Sequence, residues 1–147
     1  MAHDDGYQER IQSSFAKQGL MRTLGATLEH ISPGVVEIAM RPTDAISQQH
    51  GFTHAGAVTS IADSAAGYAA LSLMPRGTGV LTTEFKVNFV APAAGELIVA
   101  RGRVVKAGRT LTLAQTEVFA ESRGQKKLIA LLTATMMTIA DREGVTD

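Results

Sequence analysis

The 147-residue sequence contains no cysteine. That absence excludes disulfides, a thiolate nucleophile and cysteine-held zinc, and nothing ties the chain to an oxidising compartment. Net charge is missing too, since 14 basic residues balance 14 acidic ones. Without a positive surplus there is no electrostatic drive toward nucleic acid or an anionic membrane, so neither is expected as a partner and any anion site must be local. No repeat, low-complexity tract or composition break divides the sequence. Its opening residues, MAHDDGYQER, lack the basic region and apolar core of a signal peptide. One domain over residues 1–147 and a cytoplasmic location are the expectations.

What the chain does have is apolar content, 45% against 19% charged. Much of it lies in HAGAVTSIADSAAGYAALSLMP, residues 54–75. This run predicts a long helix over residues 54–74, stopped by Pro75 and Gly77. It is long enough to cross a bilayer, but Ala and Gly dominate and Asp63, near the centre, would cost about 3 kcal/mol on insertion. A helix apolar on nearly every face fits better inside protein, covered on nearly every face.

The cover is legible on either side. Tyr7, Ile11 and Phe15, spaced by four, predict an amphipathic helix over residues 5–18, ending near Gly19. Strands at 23–30 and 34–41 flank Ser32-Pro33-Gly34 as a hairpin. Beyond the long helix the period falls to two, predicting strands near 80–90, 96–106, 110–121 and 127–139. The turn clusters between them are Pro92 to Gly95, Ala107-Gly108-Arg109 and Arg123-Gly124-Gln125. Short turns require antiparallel neighbours. Ten strand residues extend about 34 Å, close to the length of the helix, so one sheet can wrap one helix. The expected fold is α+β: a curved antiparallel sheet around a long central helix.

Asp63 is the chemical oddity in that helix. A carboxylate on an apolar helix is partly desolvated, and beside a cavity it can serve as nucleophile or general base, or it can simply pair within the fold. Unpaired N–H groups in the first helical turn, at Ala55 or Gly56, can hold a developing oxyanion. His50 and His54 stand four apart, but Gly51 occupies the place of a general-base glutamate and argues against a regular helix there, so no metal site is expected. Lys106, Arg109 and the Gly108 N–H form a local cationic hairpin that suits a phosphate, or that is merely solvated.

The segment Gln48-Gln49-His50-Gly51-Phe52-Thr53-His54-Ala55-Gly56, followed by Asp63, resembles the hotdog-fold acyl-CoA thioesterases of the PaaI type. In that family a His-Gly-Gly loop leads into a central helix carrying an acid; Ala55 stands here in place of the first glycine. Thr82-Thr83-Glu84-Phe85-Lys86-Val87-Asn88-Phe89 with Ala91-Pro92, and Lys106-Ala107-Gly108-Arg109-Thr110, are similar to the family's next strand and hairpin. The resemblance spans about residues 20–140 and implies hydrolysis of an acyl-CoA or aryl-acyl-CoA, with coenzyme A entering as part of the substrate and no separate cofactor. It implies catalytic roles for Asp63, the Ala55 or Gly56 amide, His54 in shaping the loop, Gln48 (or Gln49) in polarising the substrate, and Thr82 in orienting water. Substrate contacts are expected from Val80, Leu81, Asn88, Phe89, Lys106, Gly108, Arg109 and Thr110, with Tyr68 also bearing on pocket depth. A homodimer or dimer of dimers is implied, with the acid from one chain and the oxyanion loop from another. The same fold also serves acyl-CoA hydratases, which need an Asp-His dyad, and non-catalytic acyl-CoA binding is a further alternative.

Overall fold

The computed structural model describes residues 6–147. Two short helices open it, α1 (Tyr7–Lys17) and α2 (Gly19–Leu24), followed by strands β1 (Thr27–Ser32) and β2 (Val35–Met40). The long helix α3 (Ala55–Leu71) comes next, then β3 (Gly79–Phe89), β4 (Leu97–Ala107), β5 (Leu111–Ser122) and β6 (Gln125–Ile139). All six strands join one antiparallel sheet in the order β1-β2-β4-β5-β6-β3. Helix α3 lies against its inner face and contacts every strand from β2 to β6. This is the sheet-around-helix arrangement that the strand and helix lengths predict.

The small residues of α3 explain how close that wrapping is. Ala62, Ala65, Ala66 and Ala69 are fully buried, and Gly102 of β4 sits against them with no side chain to hold the backbones apart. A Cβ at Gly102 would overlap the carbonyl group of Ala65. Backbone cannot rotate out of the way, so Gly102→Ala is expected to destabilise the fold by about 3 kcal/mol, the upper range for overpacked cores. Urea denaturation of the variant and parent measures it. On β5, Thr116 is fully buried and donates its hydroxyl to Ala62 O at 2.8 Å.

The differences from the sequence-based expectation include three helix-related boundaries, two strand ends (β1 runs on to Ser32 and β6 begins already at Gln125) and one pairing. The chain from Gly19 to Leu24 is helix, not the start of a strand at 23, because Met21 and Leu24 bury together on one helical face. Gly25 then closes it at φ +67°, with Ala26 N–H bonded to Met21 O at 2.9 Å, a Schellman cap that delays β1 until Thr27. The first helix ends at Lys17; residue 5, where it was expected to begin, lies outside the described residues. Helix α3 stops at Leu71, three residues short of 74. Ser72 donates its hydroxyl back to Ala69 O at 2.6 Å and accepts Gly34 N–H at 2.7 Å, and residues approaching Pro75 are biased out of helix. Finally, β3 and β4 are not neighbours. Their link, Val90 to Glu96, is an arch rather than a tight hairpin; it donates Val90 N–H to Ile129 O at 2.9 Å and accepts Thr53 N–H on Ala93 O at 3.1 Å. β3 therefore pairs along its length with β6 and forms a sheet edge.

Candidate active site

Asp63 projects from the middle of α3 into a cleft of about 260 Å³ lined also by Ser14, Gln18, Ser64, Gly67, Tyr68, Val80, Leu81, Thr82, Met136 and Asp147. Its Oδ1 accepts the Thr82 hydroxyl at 2.8 Å. Among the described residues Oδ2 accepts no hydrogen bond, which leaves one carboxylate oxygen available to a ligand. Burial pushes the Asp63 carboxyl above the ordinary aspartate value, and the Thr82 hydrogen bond offsets part of that shift.

Thr82 is aimed by a local irregularity. The β3–β6 register shifts between Thr82 and Glu84, and such a bulge re-aims a side chain next to a site. Thr82, opposite buried Met136, faces inward toward α3. Val80 and Leu81 precede it in the cleft wall. Asn88 and Phe89 do not join them: they stand six or seven residues further along β3, about 20 Å away at strand spacing.

The start of α3 is built differently from the expectation in one respect. His54 is the N-cap, and its Nδ1 accepts Gly56 N–H at 2.7 Å, which requires that ring nitrogen to be unprotonated. The Gly56 amide is thereby occupied. The Ala55 N–H has no hydrogen bond among the described residues and points away from the helix, so of the two candidate oxyanion donors it is the one available. His54 N–H binds Ile46 O at 2.8 Å, and with the Thr53 to Ala93 bond this holds the loop on both sides. Gln48 turns inward on its own loop, its Oε1 accepting the amides of His50 and Phe52. Gln49 and His50 are exposed.

Ala55 and Asp63 are eight residues apart on one helix, about 12 Å along its axis. A reacting carbonyl must lie about 3 Å from both its nucleophile and its oxyanion donor, so one chain does not supply both groups to one carbonyl. The same separation keeps His54 from forming a dyad with Asp63 of its own chain. At the β4–β5 turn, Gly108 and Arg109 line a separate hollow of about 320 Å³ with Leu73, Met74, Pro75, Ala107, Thr112 and Thr138. Lys106 and Thr110 are exposed and lie outside that lining. Gly108 is obligatory there, because a Cβ would overlap Leu111 O.

Residues 50–127, which hold the loop, α3, β3 and the β4–β5 hairpin, match the family model described as the thioesterase superfamily. The chain belongs to the thioesterase superfamily. Its sheet-around-helix architecture is the hotdog fold. A thioesterase family protein from Silicibacter pomeroyi is 50% identical, covering 92% of this chain and 99% of that one, with a TM-score of 0.90. The PaaI protein of E. coli, from the phenylacetic acid degradation operon, superposes with a TM-score of 0.83 over 99% of both chains at 21% identity, a likeness of fold. A Halobacterium salinarum protein named as a candidate esterase is 30% identical over 113 residues, 74% of each sequence. Membership of the thioesterase superfamily supports thioester hydrolysis as the general activity. Among the described residues, no helix is long and apolar enough to cross a membrane.

The cleft includes residues that the sequence pattern did not single out: Ser14 and Gln18 from the first helical segment, and Gly67 and Met136. Gly67 carried a usable signal, since a lone glycine inside an alanine-rich helix costs about 1 kcal/mol relative to alanine and asks for a reason.

Proposed function

We propose that the chain hydrolyses an acyl-CoA or aryl-acyl-CoA to the free acid and coenzyme A. The observation that carries this reading is Asp63 itself: a half-buried carboxylate, held by Thr82 through one oxygen, with the other open to a cleft. Asp63 attacks the thioester carbonyl, or takes a proton from the water that does. The negative charge that develops on the carbonyl oxygen is held by the Ala55 N–H at the positive end of α3 from a second copy of the chain. Collapse of the tetrahedral intermediate expels coenzyme A as its thiolate; where water attacked, the free acid is left directly, and where Asp63 attacked, a mixed anhydride is left that a water molecule then hydrolyses to the acid and the Asp63 carboxylate. Arg109 and Lys106 are the side chains that would meet the phosphates of coenzyme A. The test is release of free thiol from a panel of short, long, aromatic and hydroxylated acyl-CoA esters. Tight binding of every ester without thiol release would favour a binding protein, and a change in double bonds with the thioester intact would favour a hydratase.

The second copy is proposed on the state of β3. Phe85, Val87 and Phe89 stand opposite the buried Ala134, Leu132 and Ala130, so they face the inner side of the sheet. Yet Phe85 is 44% and Phe89 46% exposed, as is Leu81 at 46%. An edge strand with apolar side chains left open invites pairing with another chain. The same contact would bring the loop of one copy to Asp63 of the other. Phe85→Asp is expected to yield a single-chain species by light scattering, with thioester hydrolysis lost although Asp63 and Thr82 are untouched. A dimeric or fully active variant would sink this arrangement.

A further inference from the structure

The Thr82 hydroxyl has one proton to give and two acceptors within reach. Its Oγ1 lies 2.8 Å from Asp63 Oδ1 and 3.3 Å from Met136 Sδ, a hydrogen-bond distance for the larger sulfur atom. A thioether is a weak acceptor, whereas a bond to a charged carboxylate is roughly twice as strong as a neutral one. While Asp63 is ionised the hydroxyl therefore points at the acid, and the sulfur stands in reserve.

Met136 is fixed in a position that suits this use. It is fully buried and pairs across the sheet with Thr82 on β3 and with Thr112 on β5. Its thioether reaches α3 over Gly67, with Sδ 4.0 Å and Cε 3.9 Å from where a Gly67 Cβ would stand. Gly67 follows Asp63 by four residues and so shares its helical face, one turn further on. Acid, hydroxyl and sulfur thus meet at one wall of the cleft. A turn about the Cβ–Oγ1 bond of Thr82 is enough to change acceptors.

Both routes of the proposed hydrolysis take the charge off Asp63, through a proton from water or through a bond to the thioester carbon. What remains at Oδ1 is a neutral and weaker acceptor. We propose that Met136 is a positioning residue for this step: its sulfur takes up the Thr82 hydroxyl as the charge leaves Asp63, and so favours the uncharged acid over the ionised one. The Thr82 proton stays on its oxygen throughout, and only its direction changes. The inference rests on the thioesterase reading above and adds a residue to the machinery of that site. Its direction agrees with the effect of burial, which also sends the Asp63 carboxyl upward.

Met136→Leu removes the sulfur at nearly constant volume, which a core tolerates. Without the reserve acceptor the uncharged acid loses support and the ionised form is relatively favoured. The acid limb of the kcat/KM profile is therefore expected to move down by about half a pH unit, with kcat about threefold lower, the scale of one weak hydrogen bond. Tyr68 and Asp147 are the other titratable residues lining the cleft, and both are left in place. In a Thr82→Val background no hydroxyl links acid to sulfur, and Met136→Leu is expected to leave the midpoint where it was. An unmoved midpoint in the Thr82 protein overturns the proposal. So does an equal shift in both backgrounds, which is what a purely structural methionine would give. Met136→Ile serves if the leucine variant does not fold. Titration of the Asp63 carboxyl carbon by NMR reads the same midpoints without turnover; if the parent hydrolyses no thioester, that reading fails separately and the titration still decides the part played by the sulfur.

Discussion

Asp63→Asn is expected to lower kcat for thioester hydrolysis by about a thousandfold while leaving the protein at least as heat-stable as the parent. Asparagine keeps the size of the side chain and retains a carbonyl oxygen to accept the Thr82 hydroxyl now bound at 2.8 Å. It loses the charge and the nucleophilic, proton-accepting oxygen. The stability half follows from the direction of the carboxyl's shift, which burial sends upward. A folded-state value above the unfolded one means that the native state holds the proton more readily. The resulting contribution to stability is complete below the unfolded value and is lost as pH rises through the folded one. Wherever the parent's acid is ionised it carries a partly desolvated charge that the amide does not. For the same reason the parent's kcat/KM should fall on acidification with an apparent midpoint above that of an ordinary aspartate. A pH–rate profile and thermal melts of both proteins check these outcomes; a variant as fast as the parent would remove Asp63 from the chemistry.

Ala55→Pro is expected to cost about a hundredfold in kcat, in the range for one oxyanion donor, with little change in melting temperature. Proline deletes the Ala55 N–H, which serves no hydrogen bond among the described residues. The position tolerates the ring: Ala55 is the first residue of α3, where proline fits the helical φ and no helical donor is lost. His54 before it already has φ −61° and ψ +138°, the extended conformation that proline imposes on its predecessor. The Gly56 bond to His54 Nδ1 is left in place. Loss of turnover with an unchanged melt assigns the oxyanion to this amide. Full turnover would direct attention to another donor, with the Gln48 Nε2 group next in line.

Local features of the sequence translated directly into structure, and relations across the sheet did not. The alanine-rich run with Pro75 behind it marked α3, and Arg123-Gly124 marked the turn between β5 and β6, where both residues adopt positive φ. Pairing of β3 with β6 rather than β4 depends on contacts about fifty residues apart, as between Thr82 and Met136, and a period of two names a face but no neighbour. The fold brings Asp63 and Thr82 within hydrogen-bond distance, at 2.8 Å. Ser14 of α1 and Gln18, the residue that follows it, reached the same cleft through the packing of α1 on α3, which leaves no mark in the spacing of either segment. Helix α2 was missed because its six residues are too few to display a helical period against the strand that follows.

The cleft is assembled from distant stretches of chain. Asp63 and Thr82 lie within residues 50–127, the part that matches the superfamily, whereas Ser14 and Gln18 lie on a helical preface outside it. Substitutions in the preface can thus change what the cleft admits without disturbing the bond between Asp63 and Thr82. Grafting the first two dozen residues of one relative onto the body of another is accordingly a natural route to new selectivity in the laboratory.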